Sequence, residues 1–449
     1  MSKALVMRLA RCTLHLAPLV AIFGLTMTPV GSNAQGLAEL YRAALTGNPL
    51  LRSREYDVDR ARAESDGARS RLLPQVLAVG SVSRNEYKDS TTIGNQPYSG
   101  NRVSLSVRQS LFDQASRSRW ESTQATVLQR DQELALTRLA LFDEVLNRYL
   151  EVLAAQDELE WLAAESQAAT RQVDRLRAMR ERQMAKVTDL AEADAYAQSL
   201  VTRTIDARNN QAVALARLTE LCGIAVRQVP SLSRTRFDAV PGTQQKWVDD
   251  ALRNYPRLLA LSDAVDAARR AYESSRAEHL PQLAATLSYV HSDQGYDNRR
   301  QPPYDVTSVG LELRMPLYEG GRVDALTRES AARQGAAEQQ LEAAKREVER
   351  ETITHWLSAR ANHARIGSTE AEVLAFEQTV KAQEVGLELG VSRITDLLDA
   401  RRRLFKSRAE GAKARYDYVR DVVALRIRGG NLTEEELVVW DRWFDSGVR

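Results

Sequence analysis

Asp396 and Asp399 are the carboxylates best placed to act together in this 449-residue chain. They open a segment reading Ile394-Thr395-Asp396-Leu397-Leu398-Asp399-Ala400. A spacing of three puts both on one side of a helix. Such a pair attracts cations, and several copies around one opening would form a selectivity ring. The same residues would also suit the first turn of a helix, where the macrodipole favours negative charge. A reduced echo, Thr188-Asp189 with Ala193, lies earlier in the chain. The other reactive groups are dispersed. His279, His291, His355 and His363 lack a surrounding carboxylate arrangement, so they are expected to be solvated or packed rather than metal ligands. No glycine-rich phosphate loop or nucleophile motif is present. Neither catalysis nor a cofactor is expected.

The first residues stand apart from the rest. Lys3, Arg8 and Arg11 precede an apolar run from Leu14 to Met27, and Ser32-Asn33-Ala34 supplies small residues for cleavage before Gln35. This is the pattern of an export signal over 1–34. Cys12 falls inside it behind Arg11, a poor setting for lipid attachment, and Cys222 is left without a disulfide partner. Lys and Arg total 62 against 60 Asp and Glu, so nothing in the charge asks for a nucleic-acid partner.

The remainder is a tandem duplication. Leu73-Pro74-Gln75 recurs as Leu280-Pro281-Gln282, and Thr188-Asp189 recurs as Thr395-Asp396, both 207 positions on. Asn48-Pro49-Leu50-Leu51 resembles Tyr255-Pro256-Arg257-Leu258 at the same offset. Landmarks this far apart keep register only if whole units are repeated. The expected organisation is a first repeat over 35–229, a linker over 230–246 marked by Pro230 and Pro241, a second repeat over 247–430, and a C-terminal segment over 431–449.

Each repeat reads as one helix of about thirty residues, a strand pair, a very long helix and a shorter helix. Val103-Ser104-Leu105-Ser106-Val107-Arg108 and Ser308-Val309-Gly310-Leu311-Glu312-Leu313 alternate apolar and polar residues, the period of a half-buried strand. Two readings fit: soluble hairpins packed on helices, or transmembrane barrel strands with a lipid face and a wet face. Tyr87, Tyr98, Phe112, Tyr289, Tyr296, Tyr304 and Tyr318 cluster near the strand ends, as interfacial aromatics would. Four strands cannot enclose a channel, so a barrel would be shared among subunits. The tract from Arg117 to Arg182 has no proline. As helix it would run about 100 Å, too far for one globular core to cover.

These features together resemble the TolC-type outer-membrane channel family. The marks are the duplicated Leu-Pro-Gln entries, Pro316-Leu317-Tyr318-Glu319-Gly320-Gly321-Arg322, and Gly390 followed by Asp396-Leu397-Leu398-Asp399-Ala400. The resemblance implies a mainly α chain of long helical hairpins forming an α-barrel, with four strands contributed to a trimeric twelve-stranded transmembrane β-barrel. It implies a homotrimer in the outer membrane with a long periplasmic extension. Its partners would be a periplasmic adaptor (membrane fusion) protein, an inner-membrane ABC or proton-driven transporter, and outer-membrane lipid. The function implied is an exit duct, for type I protein secretion rather than drug efflux because no lipid-attachment cysteine is found. A soluble periplasmic coiled-coil scaffold is the alternative of another class.

In that family two aspartates ring the periplasmic entrance, and the motif carries the role to Asp396 and Asp399. The tyrosine and arginine that lock the family's entrance fall here on Leu387 and Ser392. Asp189 would be the acidic partner of that missing arginine. Arg393, one residue later and about 100° around a helix, is the substitute link, unless the entrance is held differently. The first-repeat turn reads Gln183-Met184-Ala185, without the family's glycine.

Overall fold

The computed structural model describes residues 35–87, 96–232, 237–293, 302–430 and 443–444. The export signal, Tyr296 and most of the C-terminal segment lie outside the described residues.

Proline sets the first break in each repeat. Where one helix is expected, the chain forms α1 (Leu37–Gly47) and α2 (Pro49–Ser70), then α5 (Gln244–Asn254) and α6 (Pro256–Ala277). Pro49 and Pro256 each occupy the first helical position, which needs no N–H donor. Their rings push Asn48 and Tyr255 out of the helical region, to ψ 117° and 119°. Asn48 also caps α2 by accepting from the Leu50 and Leu51 amides.

After each pair come two strands: β1 (Gln75–Tyr87) and β2 (Gln96–Phe112), then β3 (Gln282–Ser292) and β4 (Tyr304–Arg314). All four form one antiparallel sheet in the order β1-β2-β3-β4. The β2–β3 seam joins the two repeats, with Leu105 opposite Tyr289 and Val107 opposite Leu287. Register then fixes the faces. Val76, Val103, Leu105, Leu287, Val309, Leu311 and Leu313 share one face. Arg102, Ser104, Ser106, Arg108, Ser288, Ser308 and Glu312 share the other, though Leu77 and Val79 in β1 also lie there. On the polar face Arg108 reaches over β3 to Glu312 at 2.8 Å, and the Ser288 and Ser308 hydroxyls meet at 2.6 Å. Among the described residues the outer edges of β1 and β4 have no strand partner.

The long helices α3 (Gln114–Glu181) and α7 (Arg322–Glu388) have 68 and 67 residues, each about 100 Å of helix. They return through α4 (Val187–Cys222) and α8 (Ile394–Arg428). The shorter helices stack end to end beside the long ones: α1, α2, α5 and α6 toward the sheet, α4 and α8 toward the far end. Near the sheet the helices approach closely through small residues, with the Ser122 hydroxyl on the Ala267 carbonyl and Ser274 on that of Ala115.

The main core lies at mid-height, where the stacked helices abut. Phe142, Leu146, Tyr149, Leu150 and Leu153 of α3 pack there with Leu40, Leu218, Val419 and Leu425. The inter-repeat linker closes over this core. Tyr149 donates to the Pro230 carbonyl at 3.2 Å, Tyr418 to that of Asp238 at 2.5 Å, and Phe444 meets Tyr149 edge-on at 4.8 Å. Burial pushes the Tyr418 hydroxyl up to about 12, so it serves as a neutral donor. His355 and His363 are packed at this level, against Asp421 and the Phe237 carbonyl.

Candidate functional site at the helix tips

The two turns farthest from the sheet have the same backbone. Gly390 takes φ 72° and Gln183, its counterpart 207 positions earlier, takes φ 62°. Each turn is closed by a matching bond, Val391 N–H to the Gly386 carbonyl at 2.9 Å and Met184 N–H to that of Met179 at 2.8 Å. Glycine enters the left-handed region freely, while a side chain there costs about 1–2 kcal/mol. Gln183→Gly should therefore raise stability by about 1 kcal/mol, read as a later denaturant midpoint at unchanged slope. A lower midpoint would show that the glutamine side chain makes a stabilising contact of its own.

Ser392 folds back onto the last turn of α7. A Cβ at Gly386 would overlap the Ser392 hydroxyl, so this turn is built from two small residues in contact. That is the physical meaning of serine at this position.

The turns lie side by side and enclose a groove of about 860 Å³ lined by Arg175, Met179, Asp189, Leu387, Ser392 and Arg393 among others. Asp189 and Arg393 are thus brought to one groove, but among the described residues no ion pair joins them. The link across this end is Arg175 Nη1 to Glu388 Oε1 at 2.7 Å, from α3 to α7.

Asp396 and Asp399 are both exposed, on a side of α8 that does not line the groove. Asp396 accepts from the Arg393 amide at 3.3 Å and so caps its own helix. Asp399 pairs with Arg402 at 3.1 Å. Below them Ile394, Leu397 and Leu398 are buried against Leu176, Leu190, Ala193 and Leu200.

The next residue on that buried stripe is Arg401, only 8 % exposed. Its guanidinium spans two carboxylates, Glu165 of α3 at 3.1 Å and Glu384 of α7 at 2.7 Å. Tyr196 of α4 donates to the same Glu165 oxygen at 3.0 Å. Burial and the neighbouring Glu165 charge hold the Tyr196 hydroxyl above its ordinary range, which keeps it a donor. One cluster therefore ties together all four helices that reach the tips. Farther along α8, Arg408 pairs with Glu377 at 2.8 Å and Tyr416 donates to Asp157 at 2.5 Å. Reasoning from sequence missed Arg401, although a signal exists. Ile394, Leu397, Leu398 and Arg401 follow the i, i+3, i+4, i+7 spacing of a buried face. A charge at such a position calls for partners.

With this geometry in place, comparison with known proteins identifies the relationship. The profile described as outer membrane efflux protein matches residues 40–224 and 247–430, both repeats. The chain belongs to the outer membrane efflux protein family. Outer membrane protein TolC of Vibrio cholerae is 28 % identical over 410 residues, covering 90 % of this chain and 93 % of that protein. Alkaline protease secretion protein AprF of Pseudomonas aeruginosa is 29 % identical over 425 residues, covering 92 % and 88 %. Among solved structures, the outer-membrane channel OprN superposes with a TM-score of 0.77 at 18 % identity, covering 89 % of this chain and 93 % of its own. The long-helix and four-strand architecture is that of an outer-membrane channel subunit, and the outer membrane is the location of this efflux protein. No helix of the described residues is long and apolar enough to cross a membrane.

Proposed function

We propose that three copies of this chain form the exit duct of an export system, taking cargo from an inner-membrane transporter through a periplasmic adaptor. The observation that carries this reading is the open sheet. One face is mainly apolar, the other carries arginine, serine and glutamate, and among the described residues neither outer edge has a strand partner. Unpaired strand edges are not tolerated in lipid. Three such sheets joined edge to edge give twelve strands around a polar bore. The helices below then extend the bore about 100 Å into the periplasm. Fractionation tests this: the protein should require detergent for release from outer membranes and run as a heat-resistant trimer. A monomer released by osmotic shock would mean a soluble scaffold instead.

Protein secretion driven by an ABC transporter is favoured as the cargo route over drug efflux, since AprF is named for protease secretion. Loss of the gene should then remove a polypeptide from the culture medium while leaving drug susceptibility unchanged. The reverse pattern would assign the duct to drug efflux.

At the entrance, Asp396 and Asp399 from three chains would supply six carboxylates, a strong field for polyvalent cations. In planar bilayers a trivalent cation added from the periplasmic side should block the wild-type duct. Asp396→Asn with Asp399→Asn should abolish that block. Equal block in the double variant would remove these residues from the entrance.

A further inference from the structure

We infer that Arg402 sets the ion preference of the entrance, turning an acidic opening into a mixed-charge ring that admits anionic cargo. The inference rests on the entrance reading of Asp396 and Asp399. Arg402 Nη1 lies 3.1 Å from Asp399 Oδ1, and both side chains face solvent. The guanidinium carbon is also 5.7 Å from the centre of the Tyr196 ring, a cation–π distance. Tyr196 is itself held by Glu165. A neighbouring helix as well as its own turn therefore fixes where this charge sits.

The basic character continues along the helix. At about 100° per residue, Asp399, Arg402, Lys406, Glu410 and Lys413 fall on one stripe of α8, and all are exposed. Lys406 and Glu410 approach to 3.8 Å, and Arg403 is exposed beside them. Over 396–413 the exposed side chains comprise three acids (Asp396, Asp399, Glu410) and four bases (Arg402, Arg403, Lys406, Lys413), one net positive charge per chain. An exposed ion pair adds little stability. Its charge acts on a passing ion whether or not the bond is made. Cargo meeting the two aspartates thus meets a guanidinium three residues beyond Asp399, about 4.5 Å farther along the axis.

Purified trimer in planar bilayers tests this, with a potassium chloride gradient and lanthanum ion as the trivalent probe. Arg402→Gln should shift the reversal potential toward potassium selectivity and lower the half-blocking lanthanum concentration about tenfold. Arg402→Met, which keeps the apolar stem against Tyr196, should do the same. Arg402→Lys should retain wild-type values, because charge rather than fork geometry is what acts. If Gln and Met leave selectivity and block unchanged while Asp396→Asn with Asp399→Asn loses block, this inference falls and the entrance reading stands. If the aspartate pair has no effect on block, both fall together.

Discussion

Arg401→Met should open the duct. Bilayers containing the variant are expected to show a severalfold larger single-channel conductance than wild type, and the trimer should melt at lower temperature. The guanidinium is almost fully enclosed and carries two carboxylates from different helices. Removing the shared partner costs about 3–5 kcal/mol in a fully buried cluster; here Glu165 is 19 % and Glu384 43 % exposed, so water screens part of the repulsion and the cost is smaller. Glu165 and Glu384 relieve that repulsion by moving apart, and they sit on α3 and α7, the helices whose tips form the proposed entrance. A second variant separates opening from general damage. Combining Arg401→Met with Glu165→Gln and Glu384→Gln removes every charge of the cluster, and replacing a whole buried ion network with neutral groups is often close to neutral for stability. The triple variant should regain much of the melting temperature while keeping the larger conductance. Wild-type conductance in both variants would mean that the cluster plays no part in holding the entrance.

Charge placed on the two faces of β4 should have opposite consequences. Val309→Arg is expected to eliminate the trimer from the outer membrane, whereas Ser308→Arg should assemble normally and alter only ion selectivity. The two positions are adjacent, but the pleat sends them to opposite faces. Val309 lies on the apolar face opposite Leu287 and is 80 % exposed in the isolated chain. Ser308 lies on the polar face, with its hydroxyl on that of Ser288. An arginine facing lipid near the middle of a barrel strand costs about 2–4 kcal/mol, and a trimer incurs that cost three times. Quantifying detergent-extracted trimer by gel after outer-membrane isolation measures both. Equal assembly of the two variants would mean that neither face meets lipid.

Much of this architecture could be read from residues alone, for physical reasons. Strand faces follow from a period of two, visible in Val103 to Arg108 and again in Ser308 to Leu313. The long helices follow from the absence of proline. The duplication follows from Leu-Pro-Gln recurring at a fixed distance. Pro49 and Pro256 served as landmarks of that repeat, yet they also break the first helix of each unit. A proline preceded by a good cap, as Asn48 is, marks a helix start within an otherwise helical stretch. The clasp at the tips was less legible. Arg401 finds Glu165 across 236 positions, and only the packing of α8 against α3 brings them together. Gln183 was harder still. Its left-handed backbone is imposed by the turn's hydrogen bonds, and its own residue type argues against it.

The stacking of short helices beside long ones has a mechanical consequence. Within each repeat the helices form a lap joint, in which α3 and α7 run unbroken past the level where α1 and α5 give way to α4 and α8. A torque applied at the tips is carried across that level by the two continuous rods and by the side-chain core packed around the joint, since no backbone runs through the abutting helix ends. Twisting the tips relative to the sheet must therefore bend two rods per chain and shear the core between them. Any difference in twist between the sheet end and the tip end of the helices is then taken up at this joint.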